Sequence, residues 1–425
     1  MKKLLGMIAA AMLILPMGVD AQTNWLRDEI LERNPLREGA NFNVAANNGN
    51  RATQEGLFTT TDEFGTAHFF RGTHELNNNV IFAGHQWKIL RIDGNGNIRL
   101  IYNGECLGNN CEINGNDAGM DATIGLKSFS IGAHCDASLY ADNSSCGFYN
   151  RFSDTDLYLS IYNWFVDNIT DGSRQKVINN TSFCYDRSMP TRELPSPEGH
   201  WQWWQMPQNP AHWNHALYAA SARLGIINDV QPTLNCHREE DEFNLPIGLI
   251  TADELAMAGF RRNIINTDMF LSNGITAIYD DGWYTGSYGI YWTMTPSAIH
   301  PTGGPQVFVF NTTEEEGDSW HVEANIRHKS AALRPVLSLH GDVTVIGDGS
   351  SENPFVVIGM EERPEEPGNG NENENNNNSD NDGTDSGETT TNNPQTSVSG
   401  MLAYGTLALS SVAGIATLNR KKKRN

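Results

Sequence analysis

The sequence predicts an α+β fold, a single ectodomain of short antiparallel strands with a few helices. Three observations carry that reading. Runs rich in β-branched and aromatic residues, punctuated by Gly, Asn and Asp, fill residues 57–102 and again 291–358. Helical periodicity is confined to the stretch between them. Strands at both ends with helices between place the two ends in one sheet.

The elements follow in order. Residues 24–33 read as a short helix with Leu26, Ile30 and Leu31 on one face. Residues 41–55 are polar and turn-rich and read as loose. Strands are expected at Phe69-Phe70-Arg71-Gly72, at residues 80–84, and at 86–92 and 97–102, the last two flanking the hairpin signal Asp93-Gly94-Asn95-Gly96. That run is a turn and not a calcium loop, because the sixth and twelfth positions hold Ile98 and Gly104 where an EF-hand needs Gly and Glu. Residues 153–169 read as a helix, with Leu157, Ile161, Trp164 and Phe165 on one face and Ser153 with Asp156 at its start. Residues 195–238 form an irregular Trp-rich insertion with a helical patch at 217–224. Thr251-Ala252-Asp253-Glu254 is a capping box opening a helix that Gly259 ends. Strands return at 291–294, 306–311, 333–339, 343–346 and 355–358.

The two ends of the chain read differently. Lys2 and Lys3, the apolar residues 4–19 and Val19-Asp20-Ala21 make residues 1–21 a signal peptide cut after Ala21. Residues 22–56 then precede the ectodomain, 57–359. Residues 360–392 are an acidic, disordered linker without apolar residues to build a core, able to span roughly 120 Å when extended. Residues 401–418 are apolar and cover about 27 Å as a helix, enough for a transmembrane anchor. Arg420, Lys421, Lys422, Lys423 and Arg424 follow and hold that end on the cytoplasmic side. The expected address is the extracellular face of the bacterial envelope.

The chain carries a net charge of −22. Residues 361–400 hold ten acidic residues against Arg363, so they contribute −9. An acidic ectodomain excludes nucleic acid as a partner, since phosphate binding draws on Lys and Arg. The six cysteines all lie in the exported part, where an even count implies disulfides. Fifteen pairings are open; Cys106–Cys111 and Cys135–Cys146 would close short loops, and Cys184–Cys236 would staple the insertion.

Residues 393–425, opening with Asn393, Pro394, Gln395, Thr396 and Ser397 ahead of the apolar stretch and basic tail, resemble a sorting signal of sortase substrates in Gram-positive bacteria. The resemblance implies cleavage after Thr396 and attachment to the cell wall, with sortase and wall as partners. Asn393 and Ser397 depart from the common form, which begins with Leu and ends with Gly. The ectodomain blocks HFFRG, WKILRI, CYDRS, GLITADE, YWTMTPS and RPVLSL resemble, in that order, a widespread group of Gram-positive surface proteins. These combine an export signal, one such domain, a polar linker and an anchor. The resemblance implies a Cys184–Cys236 bond. The late blocks are also similar to C-type-lectin-like domains of the formylglycine-generating type, an analogy of fold alone.

No catalytic residue and no cofactor is assigned. His212 and His215, with His200 and His237 nearby, lack a metallohydrolase pattern, and no metal is expected. Asp280-Asp281 and the run Glu239, Glu240, Asp241, Glu242 read as solvated loops. Trp201, Trp203, Trp204 and Trp213 are candidate ligand contacts, because partly exposed indoles stack on sugars or dock on protein. The function expected is a surface-anchored binding or adhesion protein meeting host or bacterial glycan or protein. The alternatives are a surface enzyme acting on cell-wall or host glycans, and a passive envelope protein.

Overall fold

Most of the expected strands assemble around one long central strand, His85–Ile92. One of its edges is shared between Gly65–Arg71 and Asn79–Phe82, and the other carries Ile98–Glu105. The computed structural model describes residues 24–106, 122–128, 152, 155–188, 201–202, 216–225, 230–237, 239–261, 268–272, 279–280, 285–286, 290–300, 304–311 and 330–361. These lie within one compact unit, Met1–Pro364. The fold is mixed α+β, mostly sheet with few helices.

The two ends of this unit do share a sheet. Val336–Leu339 pairs with Ile98–Glu105, and Phe355–Met360 runs parallel to Asn79–Phe82 with Val343–Ile346 beyond it. Trp25 bridges Thr344, and its indole donates to the Glu361 carbonyl at 3.2 Å, so helix Leu26–Arg33 is seated beside the edge strand Val343–Ile346. Most pairings are antiparallel, but four among the described residues are parallel: Leu36–Arg37 with Gly56–Asp62, Asn79–Phe82 with Phe355–Met360, Trp201–Gln202 with Ala216–Leu217, and Ile290–His300 with Ser330–Ala332. A second sheet is built on Ile290–His300 and its hairpin partner Gly304–Asn311.

Helix Ala252–Ala258 lies between the sheets, touching Gly65–Arg71 on one side and Ile290–His300 and Gly304–Asn311 on the other. All seven of its residues are buried, and its capping box is complete in both directions between Thr251 and Glu254. Gly259 ends it at φ 118°, and a Cβ there would lie 2.3 Å from that of Ala46, so only glycine fits.

Three expectations are corrected. The helix expected from residue 153 runs Asp156–Asn168 and is capped by the Thr155 hydroxyl, which accepts from the Tyr158 N–H at 3.1 Å; Ser153 lies outside the described residues. Residues 41–55 are not loose. The buried Arg71 guanidinium donates to the carbonyls of Asn41, Val44, Ala256 and Met257 and to Gln54 Oε1, tying that segment to the central helix. The strand expected at 333–339 is confined to Val336–Leu339 in the first sheet, and the strand just before it, Ser330–Ala332, belongs to the second. Pro335 lacks a ladder donor, and the buried Arg334 at the crossing donates to Tyr102 O (2.7 Å), Leu271 O (2.5 Å) and Asn103 Oδ1 (2.9 Å).

No helix among the described residues is long and apolar enough to cross a membrane. Met360, expected in the linker, instead closes strand Phe355–Met360; residues 1–21, the linker from residue 362 and the apolar segment 401–418 lie outside the described residues.

Candidate functional site

Where the N-terminus of the central helix meets the turns of the first sheet, the chain leaves a cleft of about 90 Å³. One wall is the Asp62-Glu63-Phe64 hairpin tip and the Asp93–Asn97 turn, and another is Thr181, Ser182 and Cys184 with Asn244. Thr233, Leu234 and Asn235 close the third side, and Thr251, Asp253 and Glu254 form the floor with Arg223.

Local chemistry fixes each part. Asp93 Oδ1 accepts from the N–H groups of Asn95 (3.0 Å) and Asn97 (2.8 Å), which holds the turn. Asp62 joins that turn to the hairpin tip: its Oδ2 accepts from Gly94 N–H (3.0 Å) and its Oδ1 from Phe64 N–H (2.9 Å). Phe64 is thereby held at the rim, 48 % exposed. The Cys184–Cys236 disulfide, as the family resemblance implied, clips the segment bearing Thr233, Leu234 and Asn235 to strand Thr181–Cys184.

The charges are strongly organised. Six carboxylates (Asp62, Glu63, Asp93, Asp186, Asp253 and Glu254) line the cleft against three guanidinium groups (Arg91, Arg99 and Arg223), so its formal balance is negative. Arg223 forks onto Asp253 at 2.9 and 2.6 Å and reaches Asp186 at 2.7 Å. Arg91 reaches Glu254 at 3.1 Å and Asp62 at 3.4 Å, and Arg99 reaches Glu254 at 2.7 Å. Burial alone would raise the Glu254 carboxyl, but Arg99 and Arg91 outweigh it and hold it below the ordinary range. Asp186 follows the same pattern, burial being overcome by Arg223 and Ser188. Glu63 goes the other way: partial burial, then Glu242 and Asp62, push it up. The cleft therefore has a rigid, paired floor and one less settled carboxylate near its rim.

The residues expected from sequence to form a site fall elsewhere. Trp201 lies in a short strand of the second sheet, while Trp203, Trp204 and Trp213 lie outside the described residues. So do Asn393–Ser397 and His200, His212 and His215. His237 sits 3.6 Å from Asp186, half exposed. Cys106 is disulfide-bonded; Cys111, Cys135 and Cys146 are not among the described residues. Within the acidic run, Asp241 is corrected: it is fully buried, accepting from the Arg187 backbone N–H at 2.8 Å and its Nε at 2.6 Å, so it is not solvated. Among the described residues no group of three or more His, Cys, Asp or Glu could hold a metal ion. Sequence reasoning did not single out Asp62, Glu63, Arg91, Arg99 or Arg223, and read Asp253 and Glu254 only as part of a helix cap.

No protein-family model matches the chain, and no curated protein or solved structure matches it either.

Proposed function

We propose that this chain is a surface-anchored binding protein of the bacterial envelope and that the cleft is one of its ligand sites. The observation that carries the proposal is the preorganised polar cleft with Phe64 at its rim. Amide and hydroxyl groups of Asn95, Asn180, Thr233, Asn235 and Asn244 stand beside fixed carboxylates and guanidinium groups, an arrangement that suits a hydroxyl-rich ligand such as a host or bacterial glycan. An exposed aromatic ring adds a stacking face. The Trp-rich insertion, with Trp201, Trp203, Trp204 and Trp213, is a second contact surface in the same proposal. A C-type-lectin-like frame of the formylglycine-generating type belongs to it as well.

The supports for the address are the basic-apolar start, the apolar segment 401–418 with its basic tail, and the NPQTS pentapeptide. Sortase joins Thr396 to the wall in this reading, and muramidase should release the protein with a wall fragment on that residue. For the cleft, a glycan array probed with wild type and Phe64→Ala is the test. Loss of binding with an unchanged melting curve supports the site, and equal binding by both removes it.

Glu63 favours a second reading, that of a glycan-cleaving surface enzyme. Partial burial, and after it the charges of Glu242 and Asp62, push its carboxyl up, the direction a general acid requires. Glycan hydrolysis by wild type that Glu63→Gln abolishes would favour this reading over simple binding.

A further inference from the structure

Lys88 occupies the middle of the central strand with its side chain 2 % exposed. A buried ammonium is costly unless a carboxylate pairs with it. Among the described residues, Lys88 Nζ has one hydrogen-bond partner, Asn79 Oδ1 at 2.5 Å, and no ion pair. The charged group whose field reaches it is Arg334, itself buried and positive. Burial first and Arg334 second push the Lys88 amine down to about 7, so much of it is neutral near neutral pH and carries a free lone pair.

Asn79 faces Lys88 by register, since the two are direct partners in the antiparallel ladder between Asn79–Phe82 and His85–Ile92. Its carboxamide is pinned: Nδ2 donates to Gly349 O at 2.8 Å and to Leu76 O at 3.4 Å, while its backbone N–H also reaches Gly349 O at 3.0 Å. The hydrogen bond and the ladder register thus keep an amine and an immobilised carboxamide side by side in a dry site, the proximity a reaction between them requires.

We propose that Lys88 and Asn79 condense into an intramolecular amide cross-link. The Nζ lone pair attacks Asn79 Cγ, the Nζ–Cγ bond forms and the Cγ–Nδ2 bond breaks. Nδ2 leaves as ammonia with one hydrogen taken from Nζ. No oxidant, reductant or co-reactant is needed, and the product is a neutral secondary amide in place of a buried ionisable amine. Among the described residues no carboxylate is hydrogen-bonded to either partner, so the step relies on the neutral amine and on proximity. The clasp is well placed. Strand Asn79–Phe82 carries the last strand, Phe355–Met360, in parallel pairing. If the chain is tethered at its C-terminal end, a pull beyond Glu361 loads the last strand's pairings with Asn79–Phe82 and with Val343–Ile346, and the cross-link fastens the first of these to the centre of the sheet.

The test is mass spectrometry of the full processed chain after denaturation and reduction. The expected result is a deficit of one ammonia, mapped by fragmentation to a branched peptide joining residues 79 and 88. Mapping matters because Gln22, heading the chain after cleavage behind Ala21, can also lose ammonia by cyclising. Lys88→Met and Asn79→Ala should each abolish the branched peptide. Wild type incubated above neutral pH that yields only linear peptides, with Lys88 open to an amine-reactive label once denatured, overturns the proposal. Wild type alone decides this, whether or not the variants fold.

Discussion

Around the cleft, buried cations meet carboxylates: Arg223 with Asp253 and Asp186, Arg99 and Arg91 with Glu254. At the junction of the two sheets, Arg71 and Arg334 instead donate to backbone carbonyls and side-chain amides. The physical consequences diverge most at Arg223. Burial would lower it, but Asp253 and Asp186 raise it; at Arg99 burial outweighs Glu254 and the group falls to about 10, where uncompensated burial also puts Arg71. A guanidinium with five donors and no carboxylate works as a suture: Arg71 gathers Asn41, Val44, Gln54, Ala256 and Met257 at one point. Charge pairs fix the groups that line the cleft; carbonyl clamps fix chain crossings.

Removing one cation from each region is the sharpest way to break this comparison. Arg223→Met strands two buried carboxylates and should cost about 3–5 kcal/mol in urea unfolding. Arg71→Met strands neutral acceptors and should cost less, about 1–3 kcal/mol. Equal or reversed costs would show that the two regions do not differ in the way their charges imply. The disulfide comes between these in size. Cys184→Ser with Cys236→Ser opens a loop of sequence separation 52 and should lower stability by about 2–4 kcal/mol. It should also weaken ligand binding, because the segment bearing Thr233 and Asn235 is released from strand Thr181–Cys184.

pH separates the regions by sign. Glu254 and Asp186 lie below their ordinary values in the folded chain, so their contribution is complete above the ordinary carboxylate range and is lost as pH falls through the folded values. Melting temperature should therefore drop in acid, and Glu254→Gln should flatten part of that drop. An unlinked Lys88 acts oppositely. Its amine is depressed in the folded state, so the unfolded chain binds the extra proton and stability rises as pH climbs from about 7 toward 10.5. Cross-linked Lys88 no longer titrates, and wild type should lack that rise relative to Lys88→Met.

These two regions were unequally legible in the sequence. The Asp93–Asn97 turn and the Thr251 capping box follow from local chemistry, and the structure keeps both. The shared sheet of the two ends followed from the order of strand-like runs. Long-range partners left no local mark. Arg71 sits in a run that reads only as strand, yet its acceptors include carbonyls 185 and 186 positions away. Arg334 sits inside what reads as one continuous strand, because hydrophobic patterning does not show a chain changing sheets. The cleft gathers residues between Asp62 and Thr295 that become neighbours only on folding. Glu254 was visible as a cap because a cap is a spacing; its pairing with Arg91 and Arg99 is a matter of topology.

The smallest expected effect on stability tests whether the rim is held as rigidly as the floor. Gly94 packs so closely under the hairpin tip that a Cβ there would lie 2.6 Å from Asp62 Oδ1, Phe64 C and Gly65 N. Gly94→Ala must push the tip outward, at a cost of about 1 kcal/mol, since this turn is at the surface and can give. The ion pairs of Arg223 are not part of that contact and should persist. If the cleft recognises ligand through Phe64 and the fixed charges together, affinity should fall several-fold while the melting temperature barely moves. An unchanged affinity would mean that the paired floor binds alone, and the exposed ring at the rim would lose its assigned part in recognition.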